Sequence, residues 1–107
     1  MSAQKNILIT GSRGFLGREL VTLIQDARVI ELVRTKSEDE ADHTAVYSDT
    51  ATLFQHEPHI DIVFHLAAII PYGHMQHESS IMQRVNVELP EKIIQHYPHA
   101  RHVLASS

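Results

Sequence analysis

The chain contains no cysteine. That excludes a disulfide framework and a thiol nucleophile, and it makes the cytoplasm the default expectation for its compartment. Nor is there a basic excess: 9 Lys and Arg stand against 13 Asp and Glu, a net charge of −4. A sequence-independent grip on nucleic acid needs a basic face, so no such partner is expected. No apolar run reaches the roughly 20 residues that span a bilayer, and the first residues lack a signal-peptide pattern, so no membrane is expected either. Glycine and proline are scarce, at 4 each, and 43% of residues are apolar. With 107 residues the expectation is one domain, 1–107, around one core.

What the chain does have is the stretch from Asn6 to Gly17. Ile7 to Ile9 form a short, uncharged, β-branched run, as expected for a strand buried on both faces. Gly11, Gly14 and Gly17 follow at three-residue spacing, and behind them Leu16, Leu20, Val21, Leu23 and Ile24 recur at helical intervals. In a strand–glycine turn–helix unit, one glycine permits the tight turn. Another lets backbone N–H groups approach a diphosphate, and a third lets the helix pack close to the strand. The phosphates then sit at the positive end of the helix. The stretch therefore predicts a dinucleotide grip built from Gly11, Ser12, Arg13, Gly14, Phe15, Leu16 and Gly17.

The spacing is G-x-x-G-x-x-G, and with Thr10 and Phe15 it reads T-G-x-x-G-F-x-G. In this the chain resembles the extended and atypical short-chain dehydrogenase/reductases, the NAD(P)-dependent epimerase/dehydratase family. The resemblance implies an α/β fold, a Rossmann-type doubly wound parallel sheet of five strands in the order 3-2-1-4-5.

Further along, Ala27 to Thr35 reads as a second strand, whose end would face the adenosine ribose. An acidic side chain there favours NAD, and a basic one favours NADP through the 2′-phosphate. Glu31 lies about twenty residues after Gly11 and is one candidate. The preferred register puts Arg34 at the strand tip, with Arg13 reaching the same phosphate from the glycine turn. Arginine at these two places resembles the NADP-using members, so NADP is the favoured cofactor and NAD the alternative. Residues 35–44 are polar and acidic and read as a loop. Ala45 to Tyr47 could form a short third strand, followed by a helix that starts at Asp49 or Thr50 and runs through Leu53 and Phe54. The resemblance places Asp49 beside the adenine ring.

Ile60 to Ile70 is the most apolar run and predicts the fourth, central strand. Its Leu66, Ala67 and Ala68 match the family's H-L-A-A segment, where small residues let the cofactor lie against the backbone. His65, inside the run, is expected to be a packed, neutral, hydrogen-bonded residue. Residues 71–80 read as a loop in which Tyr72 and His74 could face a substrate pocket. A helix is predicted from Ser79 or Ser80 to Ile94, interrupted by Pro90. Asn86, flanked by Val85 and Val87, matches the family's V-N-V. Arg101 to Ser107 predicts a fifth strand ending on a serine pair.

The resemblance assigns Ser107, rather than Ser106, to the serine that holds the substrate oxygen. It also implies a tyrosine general acid/base with a lysine four residues on. Tyr47, Tyr72 and Tyr97 are followed at that distance by Ala51, Gln76 and Arg101. A phenol of pKa about 10 exchanges protons poorly at neutral pH without such help. The expectation is thus the cofactor-binding half of an enzyme, cut before the Tyr-Lys segment, with a small-molecule substrate only if the other half is present. An exposed edge at strand five would invite a homo-oligomer or a partner. A non-catalytic sensor or scaffold that binds NADP(H) needs the same grip and is the alternative. Histidines at 74, 77, 96, 99 and 102 carry metal-like spacing, but Pro98 interrupts the set and no cysteine assists, so no metal is expected.

Overall fold

A computed structural model describes residues 4–34, 45–67 and 87–104. The elements run β1 (Lys5–Thr10), α1 (Phe15–Leu23), β2 (Ala27–Leu32), β3 (Val46–Tyr47), α2 (Thr50–His56), β4 (Ile62–His65), α3 (Leu89–His96) and β5 (Arg101–Leu104). All four strand pairings are parallel, and the order is β3-β2-β1-β4-β5. This is the order expected from the sequence.

Ile7 to Thr10 are buried on both faces because β1 lies between β2 and β4. Its side chains alternate. Leu8 joins Ile30, Leu32, Leu53, Ile60, Val63, Ile93 and Tyr97 in one core beneath α2 and α3, and Ile7 and Ile9 face the other side of the sheet. The chain moves from β1 to β2 in one direction and crosses from β3 to β4 in the other. Right-handed crossovers therefore put α1 on one face and α2 on the opposite one. The topological switch point falls between β1 and β4, and the strand ends there carry the glycine turn and the Leu66–Ala67 backbone.

Several boundaries differ from expectation. β2 stops at Leu32, three residues short of Thr35, although the Val33 N–H still donates to the Tyr47 carbonyl at 2.9 Å. β4 ends at His65: the Leu66 N–H is shared between the Thr10 carbonyl and hydroxyl, both at 3.1 Å, and the Ala67 N–H goes to the hydroxyl at 3.2 Å. Pro90 marks a change of winding. It sits in the first α-helical turn of α3, and Val87 and Glu88 just before it are wound in the wider π form, at the expected interruption; residues 79–86 lie outside the described residues. The apolar stripe of α1 is also less buried than its spacing suggests. Leu16 and Leu23 are exposed, at 57% and 74%, and the buried residue of that helix is Gly17. Ile94 is exposed as well, while its neighbour Ile93 is fully buried. No helix among the described residues is long and apolar enough to cross a membrane.

Candidate functional site

Gly11 leaves β1 with φ of +74°, a conformation that side chains resist. It also lies against the end of β4: a Cβ there would sit 2.7 Å from the Ala67 nitrogen and 2.8 Å from the Leu66 carbonyl carbon. The turn closes with the Gly14 N–H donating to the Gly11 carbonyl at 3.1 Å. Gly17 brings α1 down onto this turn, since a Cβ would meet the Gly11 oxygen at 2.3 Å and Ser12 Cα at 2.6 Å. Gly14 is different, with nothing nearer than 3.4 Å to an added Cβ. The three mechanical tasks are thus distributed: Gly11 turns the chain, Gly17 seats the helix, and Gly14 leaves space.

That space lies at the positive end of α1. Gly14 is the N-cap residue, no side chain caps it, and the first turn holds no acidic group. Its amide groups are therefore directed outward without a built-in anion. Ser12 is 1% exposed, and its Oγ has no hydrogen-bond partner among the described residues. An uncapped helix start, an open glycine and an orphaned buried hydroxyl fit a diphosphate group. Thr10 was missed as a site residue in the sequence. Its side chain, 2% exposed, joins the glycine turn to the Leu66–Ala67 backbone through the two hydrogen bonds described above. The T preceding the first glycine was its only sequence signal.

The other candidates sit at the same end of the sheet. Arg13 follows β1, and Arg34 lies exposed just beyond β2. Glu31, two residues before Val33, is half-buried, and the Arg13 Nε lies 3.9 Å from its carboxylate. Asp49 follows β3 and caps α2: one carboxylate oxygen accepts the Thr52 N–H and the other the Thr52 hydroxyl, both at 2.8 Å. Those bonds lower its pKa, the backbone one most. Phe15 and Leu16 are exposed at the start of α1. Ala68, Tyr72, His74, Asn86, Ser106 and Ser107 lie outside the described residues, as does the whole of 71–80.

Two tyrosines turn away from acid/base work. The Tyr47 hydroxyl donates to the Glu57 carboxylate at 2.6 Å, and that of Tyr97 to the Glu57 carbonyl at 2.7 Å. Burial, foremost, pushes each phenol up to about 12, the wrong direction for proton exchange near neutrality. Of the spaced histidines, His74 and His77 lie outside the described residues, His96 stacks on Phe54 with ring centroids 3.8 Å apart, and His102 pairs with His65 at 2.9 Å. Among the described residues no group of three or more His, Asp and Glu could hold a metal ion.

A parallel sheet with a glycine bend at its switch point, under an uncapped helix start, defines a Rossmann-class nucleotide fold. Residues 7–107 match the model of the NAD dependent epimerase/dehydratase family, and the chain belongs to that family. The cofactor class that goes with the grip is accordingly a nicotinamide dinucleotide. No curated protein matches the chain in sequence. Among solved structures it is similar to the crystal structure of uronate dehydrogenase from Agrobacterium tumefaciens, with a TM-score of 0.71 and 19% identity over 99% of this chain. A tyrosine-to-alanine mutant of that enzyme complexed with NAD gives a TM-score of 0.69 and 18% identity over 98% of this chain. The chain spans 42% of the length of each neighbour.

Proposed function

We propose that these 107 residues are the dinucleotide-binding half of an oxidoreductase, epimerase or dehydratase that acts on a nucleotide-sugar or small carbonyl, with NADP(H) favoured over NAD(H). The observation that carries the reading is the glycine turn pressed onto Leu66 and Ala67 beneath the uncapped start of α1. In this reading Gly11, Ser12, Gly14, Phe15, Leu16 and Gly17 surround the diphosphate. Leu66 and Ala67, with Ala68, form the floor under the nicotinamide ribose, and Asn86 supports the same side. Asp49 borders the adenine while capping α2. Arg13 and Arg34, which follow the adjacent strands β1 and β2, take the 2′-phosphate. Ser107 holds the substrate oxygen. The bound nicotinamide supplies hydride transfer.

Because no tyrosine of the chain precedes a lysine by four residues, the chain alone is proposed to bind nucleotide without turnover. The same observation favours a second reading, a non-catalytic NADP(H)-binding sensor or scaffold. Appending the sequence that supplies a Tyr-Lys pair, if the gene encodes one, separates the two: appearance of dehydrogenase or epimerase activity supports the enzyme.

Calorimetric titration with NADPH and NADH tests the grip directly. NADPH is expected to bind about tenfold more tightly, a difference of about 1.4 kcal/mol, and Arg34→Ala should erase that advantage. Equal affinities in the parent chain would refute the arginine assignment. Absence of binding by both nucleotides would refute the site.

A further inference from the structure

His65 ends β4 at 6% exposure, and its Nε2 lies 2.9 Å from His102 Nδ1 on β5. His102 Nε2 lies in turn 2.9 Å from the Tyr97 carbonyl at the end of α3. A carbonyl can only accept, so His102 carries its proton on Nε2 and offers Nδ1 as an acceptor. The bridging proton therefore belongs to His65 Nε2, and His65 Nδ1 is left as a bare lone pair. That nitrogen is buried and has no partner among the described residues. Two neutral rings with defined tautomers thus link the central sheet to its edge strand.

We propose that His65 and His102 form a proton-sensitive clasp: the neutral pair holds β5 on the sheet, and uptake of one proton releases it.

The geometry penalises the charged state by either route. A proton added at His65 Nδ1 creates a buried imidazolium with an N–H that nothing accepts. Placed instead on His102 Nδ1, it forces His65 to move its own proton to Nδ1, which leaves the same orphaned donor. The surrounding groups do not compensate. From α3, the Tyr97 hydroxyl is committed to Glu57, and its carbonyl already accepts the Ala100 N–H at 3.2 Å. The Glu57 carboxylate is held by Arg28 and Tyr47, and Asp61 at the foot of β4 is held by Asn6 and His59. Arg101, next to His102 along β5, is exposed, and strand alternation turns it to the opposite face of the sheet. From β1, the Thr10 hydroxyl is occupied by Leu66 and Ala67. Burial, with the neighbouring ring second, holds His65 down to about 4, against 6.5 for a free imidazole. The clasp adds a side-chain tie to the backbone ladder between β4 and β5, where other side chains contribute little: Val103 and Leu104 are exposed at 39% and 59%. In sequence, β5 leads directly into the serine pair at 106 and 107.

The folded pKa is lowered, so stability is present above the unfolded value near 6.5 and drains away as pH falls toward 4. Nitrogen-detected NMR of the histidine rings tests this in the whole chain and needs no bound nucleotide. Both rings should be neutral Nε2–H tautomers at pH 7, and His65 should stay neutral to below pH 5. Titration of His65 near pH 6.5, or an Nδ1–H proton on His102 at pH 7, would overturn the clasp. Urea unfolding supplies the second test. From pH 7 to pH 5 the folding equilibrium should weaken about tenfold or more, with hydrogen-exchange protection lost in β5 before β1. In the double variant His65→Phe/His102→Phe that loss should disappear, and an undiminished loss would overturn the proposal.

Discussion

A methyl group added at Gly14 meets nothing closer than 3.4 Å, whereas one at Gly17 would lie 2.3 Å from the Gly11 carbonyl oxygen. The two substitutions should separate folding from binding. Gly17→Ala collides with backbone that cannot move without opening the turn, so a loss of about 3 kcal/mol is expected in chemical denaturation. Gly14→Ala should change stability by less than about 0.5 kcal/mol and still weaken nucleotide binding about tenfold in a titration, because its methyl fills the space at the helix start. Glu31 offers a second contrast. Its carboxylate faces Arg13 at 3.9 Å and competes with any phosphate for that guanidinium. Glu31→Gln should therefore raise NADPH affinity relative to NADH about fivefold, the scale of a part-exposed ion pair. An unchanged ratio would remove Glu31 from cofactor choice. At this scale the sequence was informative wherever a residue type has a single mechanical use, as with the glycines. It marked Thr10 only as the T before the first glycine, and not its role, which comes from two amides that reach it across 56 and 57 residues of chain.

Among the elements, α2 shows how a short helix is held at both ends. Asp49 caps its start. Pro58 biases Glu57 out of the helical region, so the helix closes at His56. Glu57 then receives two Arg28 hydrogen bonds, at 2.6 and 2.8 Å, and the Tyr47 hydroxyl, which ties α2 to β2 and β3. The Arg28 bond is the chief cause of its lowered pKa, and the group is 5% exposed. Replacing it as Glu57→Gln leaves a guanidinium without its charge partner, with an expected cost of about 2 kcal/mol by urea denaturation. Asp49→Ala should lower the urea midpoint, because the Thr52 N–H and hydroxyl lose their cap. Sequence spacing located α2 and left its cap between Asp49 and Thr50; the structure assigns the cap to Asp49 and carries the helix on to His56. It read Pro90 as an interruption, and the winding changes from π to α at Leu89, just before that proline.

For the molecule as a whole, acid should act in two stages. His65 contributes its loss between about pH 6.5 and 4. Asp49, Glu57 and Asp61 have folded pKa values below their ordinary ones, so their stabilisation is complete above the unfolded carboxylate range and falls away below about pH 4.5. A stability profile with one acid transition instead of two would contradict this division. Among the described residues β5 is the outer strand, with Val103 and Leu104 exposed on it, and we propose that these 107 residues self-associate there. Light scattering should show mass rising with concentration, and Leu104→Lys should suppress the rise.

The position of the glycine turn between strand and helix could be read from residue order, and the fold class and strand order from the family resemblance that this motif carries. Buried strands, glycine turns and helix caps are local devices, and parallel connections admit few topologies. Three-dimensional packing decided the rest: which apolar residues of α1 remain exposed, that Thr10 joins two strand ends, and that two histidines 37 residues apart share one proton. Those outcomes depend on which side chains meet after the sheet closes, and neither composition nor periodicity records such meetings.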